Sequence, residues 1–317
     1  MYIIRKKNQI ILPIAERFKR KSFVILNSLS AVTVAIISVF LWLQIEPTNI
    51  KRVVKSNYSI YSQFSLNLLD FAKKGDDLFT KLDKIDSDSV NNFRDFSSGL
   101  NNLIDKIPLE KNKLTTAAQP KVIEHKNILL NGFEFQSKLV SSYKSNLQFF
   151  ECMVSTLGRF NSTWQEFGEN LDKLTFVDSN NILDPKSSEN FLKIALSLDK
   201  SIGYLDLFEN CFFENFVQFK TTLFDNDILT TKLQFTQLST GFKDLSAASL
   251  DPVNKEKELV AIIDKITAIN LPNIPFIQPK FKTDYIIKPI ASFSPGSPAL
   301  SLSLETITTE TNKILSK

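Results

Sequence analysis

The sequence predicts an all-α protein with a single N-terminal transmembrane helix, an elongated antiparallel bundle of three long helices and a shorter fourth, and a proline-rich C-terminal tail. A charge-free apolar run of 21 residues, 23–43, follows a basic N-terminus. Apolar side chains then recur every three or four residues over long segments, as in helices that bury one face. Glycine is scarce, with 8 in 317 residues, and half of the 12 prolines lie between Pro272 and Pro298. The interior therefore lacks the turn signals that short strands need.

Residues 22–44 form the predicted membrane anchor. The apolar run amounts to about 31 Å of helix at about 1.5 Å per residue, enough to cross a hydrocarbon core of about 30 Å. Trp42 lies at one end, where aromatic rings favour the membrane interface, and Pro47 marks the end of the helix. A cleaved signal peptide and a buried core helix are the alternatives. The apolar part of a signal peptide is shorter, however, and no small-residue cleavage site follows Leu43.

Basic residues before the anchor predict its orientation. Residues 1–21 carry seven basic side chains and one acidic side chain, so the positive-inside rule places this tail in the cytoplasm and exports the rest. The opposite topology and an organelle targeting sequence stay open, because Lys51, Arg52 and Lys55 also make the far flank basic and the N-terminus is poor in acids. Residues 45–317 hold 31 basic and 33 acidic side chains, so this part of the chain lacks the excess of positive charge that nucleic-acid binding requires.

The first two long helices are predicted from heptad-like apolar stripes. The first spans about 50–107, although the Asp-Ser-Asp-Ser cluster at 86–89 can break or re-cap it, because such side chains compete for backbone donors. The second begins after Pro120 and has its most regular spacing over 139–174. It ends in a turn-rich cluster, 178–181.

A third long helix and a shorter fourth complete the predicted bundle, which covers residues 45–271. The third carries its stripe over about 186–245, and the polar residues 225–227 can interrupt it. The fourth opens at Asp251-Pro252, an acidic cap followed by proline in the first turn, and stops before Pro272.

Residues 272–317 are predicted to be a proline-rich extended segment and tail on the bundle surface. Proline cannot donate a ladder hydrogen bond, so a central strand is excluded there. Within the tail, residues 300–317 fit either a strand or a short helix, because their leucines alternate while the later isoleucines follow a helical spacing.

The two cysteines, Cys152 and Cys211, give a test of the bundle topology. The point midway between them falls in the turn-rich cluster that is predicted to join the second and third helices. In an antiparallel hairpin, residues equidistant from the turn lie at the same height, so the thiols would face each other. We therefore hypothesise a disulfide, formed if this part of the chain meets an oxidising compartment; the alternative is two ordinary buried thiols.

The sequence contains no motif typical of catalysis, cofactor binding or metal binding. The closest glycines, Gly158 and Gly168, are too far apart for a phosphate-binding loop. His125 is the only histidine and is expected to be solvated near a helix start. The acidic group of Asp83, Asp86 and Asp88 lacks the pattern of a calcium loop and indicates solvated faces or helix interruptions. We predict that the chain is not an enzyme and holds no cofactor or metal.

Small residues follow one face of the predicted anchor at spacings of three and four, namely Ser28, Ala31, Ala35 and Ser38. Small side chains let transmembrane helices approach closely, so this face is a candidate helix-contact site. The alternative is simply a moderately polar anchor.

These patterns together predict a single-pass, membrane-anchored structural or protein-interaction protein that displays a helical domain outside the cytoplasm. Its partners would be the lipid bilayer and other proteins that bind its helix faces, self-association included. A sensory or ligand-binding ectodomain is the alternative. It would need a separate signalling partner, since a cytoplasmic tail of about 20 residues is too short for an output domain.

Overall fold

The computed structural model describes residues 34–39, 48–173, 187–250, 256–269 and 273–316. All regular structure in these ranges is helical, which confirms the all-α class. Most of the predicted anchor lies outside the described residues; its positions 34–39 are helical with exposed side chains. Within the ranges above, no helix combines the length and the apolarity that crossing a bilayer requires.

The helices follow one another with short connections. In chain order they are α1 (48–80), α2 (Ser87–Asn112), α3 (Pro120–Asp172), α4 (Ser187–Asn210), α5 (Thr222–Ala248), α6 (Glu256–Thr267), α7 (Pro279–Lys282), α8 (Lys288–Ala291) and α9 (Ser297–Ser316). A π-helical turn, Thr283–Ile287, joins α7 to α8, and 3₁₀ turns lie at Glu214–Phe219 and Pro275–Ile277.

Two of the three predicted long helices are divided, the first at the 86–89 cluster where the sequence allows a break, and the third at 211–221 rather than at 225–227. The helix expected over 50–107 is the pair α1 and α2. Asp86 and Ser89 start α2 with reciprocal bonds: Asp86 Oδ1 accepts from the Ser89 N–H, and Ser89 Oγ accepts from the Asp86 N–H, both at 2.9 Å. The helix expected over 186–245 is the pair α4 and α5, and Thr221 caps α5 by accepting from the Phe224 N–H. Only the second predicted helix is a single element, α3, with 53 residues.

The chain divides into two compact units. The first comprises Met1–Gln63, Glu110–Gly132 and Glu305–Lys317, and the second comprises Phe64–Leu109 and Phe133–Leu304. In the first unit, α9 is antiparallel to α3, because Ile307 lies against Gly132 while Thr311 contacts His125.

Aromatic rings form the core of the second unit where α1, α2 and α3 meet. Phe79 contacts Phe93 edge-on with ring centroids 5.4 Å apart, and Phe93 stacks on Phe150 at 3.7 Å. Further along the same interface Phe71 stacks on Phe96 at 4.3 Å, which shows that α1 and α2 are antiparallel. Because a fully buried Phe contributes about 1.5–3 kcal/mol, these rings are a principal source of stability here.

The same unit contains a second layer in which α4 and α5 pack antiparallel to each other. Ser188 Oγ lies 3.0 Å from Ser246 Oγ near one end of the pair, and Lys232 Nζ lies 3.2 Å from Glu209 Oε2 near the other. Phe276, from the turn before α7, fills the space beside this layer and contacts rings of both α3 and α4.

Residues 273–316 are mostly helical, so the prediction of an extended segment over 272–317 is wrong for the described part. Pro279 begins α7 and Pro298 stands in the first turn of α9, where the missing N–H would have no partner inside the helix, so proline starts these helices as readily as it breaks others. Pro289 follows the π-helical turn Thr283–Ile287 closely, within a continuous helical run. Burial of side chains such as Phe281 and Ile290 then holds these helices in the core.

Candidate functional site

Cys152, on α3, and Cys211, directly after α4, lie side by side in the second unit. Their Sγ atoms are 2.03 Å apart and their Cα atoms 5.6 Å apart. This Cα distance lies within the range of about 4.4–6.8 Å that disulfides require. The Cys211 side chain is fully buried, and Cys152 is partly buried.

The cysteines meet because α3 and α4 pack antiparallel with a constant register. As residue numbers rise along α3, those of the contacting residues fall along α4. The polar contacts that show this are Thr163 Oγ1 with Ser201 Oγ at 2.9 Å, Glu166 with Lys200 at 3.5 Å, and the Lys173 carbonyl with Asn190 Nδ2 at 3.2 Å. The loop between the two helices, 174–186, lies outside the described residues.

The connection from α4 to α5 is held against α3 beside the cysteines. Phe149 stacks on Phe216 with centroids 4.0 Å apart and meets the edge of Phe212 at 5.4 Å. Glu214 has a φ of 47°, in the left-handed region, which costs a non-glycine residue about 1–2 kcal/mol. Its carboxylate accepts a hydrogen bond from Ser145 Oγ at 3.0 Å. The connector is therefore fixed by covalent, polar and aromatic contacts to one helix.

The candidate face of the anchor falls largely outside the described residues. Ser28 and Ala31 belong to the part that the structure does not describe. Ala35 and Ser38 lie within the helical residues 34–39, and their side chains are exposed. The helix-contact role of this face stays a prediction.

A cleft of about 770 Å³ lies between the end of α1 and the start of α2. Apolar side chains form its floor: Phe71, Leu78, Leu82, Phe93 and Phe96. The ring of Phe71 can lie flat on α2 because position 99 is glycine. A Cβ atom at Gly99 would lie 2.8 Å from Phe71 Cε2, closer than any real contact.

The rim of the cleft carries five aspartates and three lysines. Two of the lysines are paired: Lys81 Nζ lies 2.8 Å from Asp77, and Lys84 Nζ lies 2.7 Å from Asp86. Hydrogen bonds from Lys84 and from the Ser89 N–H lower the pKa of Asp86 to about 2, so this carboxylate stays ionised. Among the described residues of the rim, four make no ion pair: Lys74, Asp83, Asp88 and Asp95. Three of these four are acids, so the rim has an excess of negative charge.

His125 is buried in the first unit, so the expectation that it is solvated is wrong. Its Nε2 atom lies 3.0 Å from Thr311 Oγ1, and the Thr311 hydroxyl donates to the Ile307 carbonyl at 2.8 Å. Nε2 is therefore the protonated nitrogen, and Nδ1 has no hydrogen-bond partner within the described part of the chain. Burial lowers the pKa of His125. The covering helix, α9, comes from the segment that was predicted to be extended.

In the part of the chain that the structure describes, no group of three or more histidine, cysteine or acidic side chains could hold a metal ion. The chain matches no protein family, no characterised protein and no solved structure. Its function must therefore be argued from the cysteine pair, the helix faces and the α1–α2 cleft.

The α1–α2 cleft is the feature that sequence reasoning missed. The sequence pattern assigns Asp83, Asp86 and Asp88 to a solvated face or a helix interruption and gives no sign of the apolar floor beside them. The signal was present in the Asp86–Ser89 pair, because a capping box inside a helical stripe indicates a hairpin and hence a groove between its two arms.

Proposed function

We propose that the chain is a single-pass membrane protein that keeps residues 1–21 in the cytoplasm and displays its helical domain outside, where it binds other proteins through helix faces. The apolar run and its basic flank support the anchor and the orientation. The helical architecture supports the binding role, since exposed helix faces and grooves between helices are common protein-binding surfaces.

The observation that carries this proposal is the pairing of Cys152 with Cys211. Disulfides persist in oxidising compartments and are rare in the cytoplasm, where thiols are kept reduced. A disulfide between Cys152 on α3 and Cys211 at the end of α4 therefore favours export of the domain. The near-neutral charge of residues 45–317 fits a surface that meets proteins better than one that meets nucleic acid.

The redox state of the cysteines in intact cells tests the proposal directly. Cells that express the full chain are lysed in N-ethylmaleimide, and the protein is run with and without reductant. The unreduced wild type should migrate faster than the reduced form, whereas Cys152→Ser and Cys211→Ser should each remove the difference. The double variant serves as the control for migration without a bridge. Two freely alkylated thiols in the wild type would contradict export.

Protease added to intact cells tests the orientation independently. It should degrade the helical domain and leave an N-terminal epitope tag protected. Replacement of Lys19, Arg20 and Lys21 by glutamate should reduce the protease-accessible fraction, because the positive-inside signal is lost. Protection of the helical domain in the wild type would show the opposite topology.

A sensory or ligand-binding ectodomain that acts with a separate signalling partner is the second candidate. The volume of the α1–α2 cleft favours it, because about 770 Å³ falls within the range of small-molecule pockets. A thermal-shift screen with metabolites separates the two functions. A compound that raises the Tm of the wild type but not that of Leu78→Lys would support the sensor.

A further inference from the structure

The α1–α2 cleft has the form of a groove between two antiparallel helices. Its α1 wall presents Phe71, Lys74 and Leu78, with Lys81 in the turn directly after the helix, and its α2 wall presents Asp88, Asn92, Asp95 and Gly99. The residues of each helix step by three and four, so each helical wall is one continuous helix face. Along α2, from Asp88 to Gly99, the groove is about 16 Å long at about 1.5 Å per residue, the length of a helix of about three turns.

The floor of the groove is only partly covered by the protein itself. Phe93, Phe96 and Leu82 are buried, whereas Phe71 and Leu78 are half-exposed. A second helix with an apolar stripe would complete the burial of these two side chains, as a third helix does in a bundle.

Charge decides which helix fits. Lys81 pairs with Asp77 and Lys84 with Asp86, and Lys84 also attracts Asp83 and Asp88, but five aspartates against three lysines leave the rim with an excess of two negative charges. Asp88 and Asp95 are seven residues apart on one face of α2, about 10.5 Å along its axis. A partner helix that lies in the groove can place basic side chains opposite both if it carries them at positions i and i+7, beside its apolar stripe.

We propose that the α1–α2 cleft is the docking site for a basic amphipathic helix of a partner protein. The partner's apolar stripe packs on Phe71 and Leu78, and its lysines or arginines pair with Asp88 and Asp95, with Asp83 at the end of the groove. The inference rests on the proposed interaction function, for which it names the surface and the chemistry of the partner.

Synthetic peptides of about 21 residues, three heptads long, test the proposal. The first carries leucine at a and d and lysine at every e position, next to the stripe. The second has the same composition with its lysines moved to the opposite face, and the third has glutamate at e. Each is labelled and titrated with the full chain in phosphatidylcholine nanodiscs, with empty nanodiscs as the blank.

The first peptide should bind saturably, at least about tenfold tighter than the third, and more weakly as salt is raised. Asp88→Asn/Asp95→Asn should weaken it about fivefold, the loss expected for two exposed ion pairs. Asp70→Asn/Asp105→Asn is the matched control, because both acids are exposed on the same helices away from the cleft, and it should leave the affinity unchanged. Circular dichroism of both variants verifies that the fold is retained.

Three results would overturn the proposal: equal binding of the three peptides, equal loss in the two double variants, or no saturable binding. A dimer of the chain alone that dissociates in Asp88→Asn/Asp95→Asn would also overturn it, since a second copy would then occupy the groove. These outcomes do not depend on membrane orientation or on the cysteines, so they are distinct from a failure of the export experiments.

Discussion

Replacing Asp76 by asparagine tests how the start of the C-terminal helix is held in the second unit. The carboxylate is 7 % exposed and lies where α1 and α3 meet the first residues of α9. It accepts three hydrogen bonds: from the Tyr143 hydroxyl at 2.5 Å, the Gly296 N–H at 2.9 Å and the Ser297 N–H at 2.8 Å. It therefore satisfies two backbone donors at the N-terminus of a helix, where negative charge is favourable.

The cost of Asp76→Asn follows from what an amide cannot do. The Asn oxygen can still accept from Tyr143 and Gly296, but the NH₂ group would face the Ser297 N–H and leave that donor unsatisfied, at about 1–3 kcal/mol. The two remaining bonds lose their charge assistance, about 1 kcal/mol each. Relief of the buried charge offsets part of this sum, so we expect a loss of about 3 kcal/mol.

Hydrogen exchange read by mass spectrometry measures this loss locally. Amides in the first turns of α9 should exchange roughly a hundredfold faster in Asp76→Asn than in the wild type, in line with about 3 kcal/mol. Asp77→Asn is the control: its carboxylate is exposed and paired to Lys81, so the change should cost less than about 1 kcal/mol. Tyr143→Phe removes one donor and should show coupling with Asp76→Asn of about 1 kcal/mol or more. Unchanged exchange in Asp76→Asn, or an equal effect of Asp77→Asn, would refute the reasoning.

Three further predictions concern other contacts. Cys152→Ser should lower the free energy of unfolding by about 2–4 kcal/mol under oxidising conditions and by much less in reductant; equal losses in both would argue against a bridge. Acidification from pH 7 to 5 should speed hydrogen exchange of Glu305–Lys317 beyond its intrinsic pH dependence. The unfolded chain takes up a proton near pH 6.5 while burial lowers the pKa of folded His125, so stability is lost as pH falls below about 6.5; His125→Leu should abolish the effect. Gly296→Ala should cost about 1–3 kcal/mol in thermal unfolding, because its Cβ would clash with Leu139 Cδ1 and lie 3.1 Å from the Tyr143 hydroxyl, whereas Gly203→Ala, with no atom within 4 Å, should stabilise α4 by up to about 1 kcal/mol.

Apolar periodicity predicts which segments are helical but not where one helix ends and another begins. The stripe crosses the α1–α2 connection with a single step of five residues, from Ile85 to Val90, and then resumes, because both arms of the hairpin bury the same kind of side chain. The two helices are separated by the reciprocal bonds of Asp86 and Ser89, and α4 and α5 by the connector whose end Thr221 caps. Each of these boundaries depends on one or two hydrogen-bonding side chains, which a search for apolar periodicity does not register.

The positions of residues relative to a predicted turn locate the cysteine pair, but they do not locate the environment of His125 or the α1–α2 cleft. The midpoint of Cys152 and Cys211 falls near the α3–α4 loop, and this was enough to place the two residues opposite each other. Nothing comparable was available for His125, because the helix that covers it comes from almost the other end of the chain. The cleft also depends on tertiary packing, since its floor forms only when Gly99 admits Phe71 against α2.

Buried polar residues therefore determine much of the register in which these helices pack, because the apolar stripes of different helices are similar to one another. Phe and Leu at helical spacing would pack in several registers with similar burial, because each stripe presents nearly the same surface every heptad. A shift of one turn would move Asp76 away from the Gly296 and Ser297 N–H groups, and would leave a buried carboxylate and two helix-end donors unpaired. A register shift that is nearly neutral for the apolar residues is thus strongly unfavourable at this position. Leucine at position 76 makes no hydrogen bond that one register would satisfy better than another. We therefore expect Asp76→Leu to widen the spread of hydrogen-exchange rates among the α9 amides, while the helical content measured by circular dichroism falls only slightly.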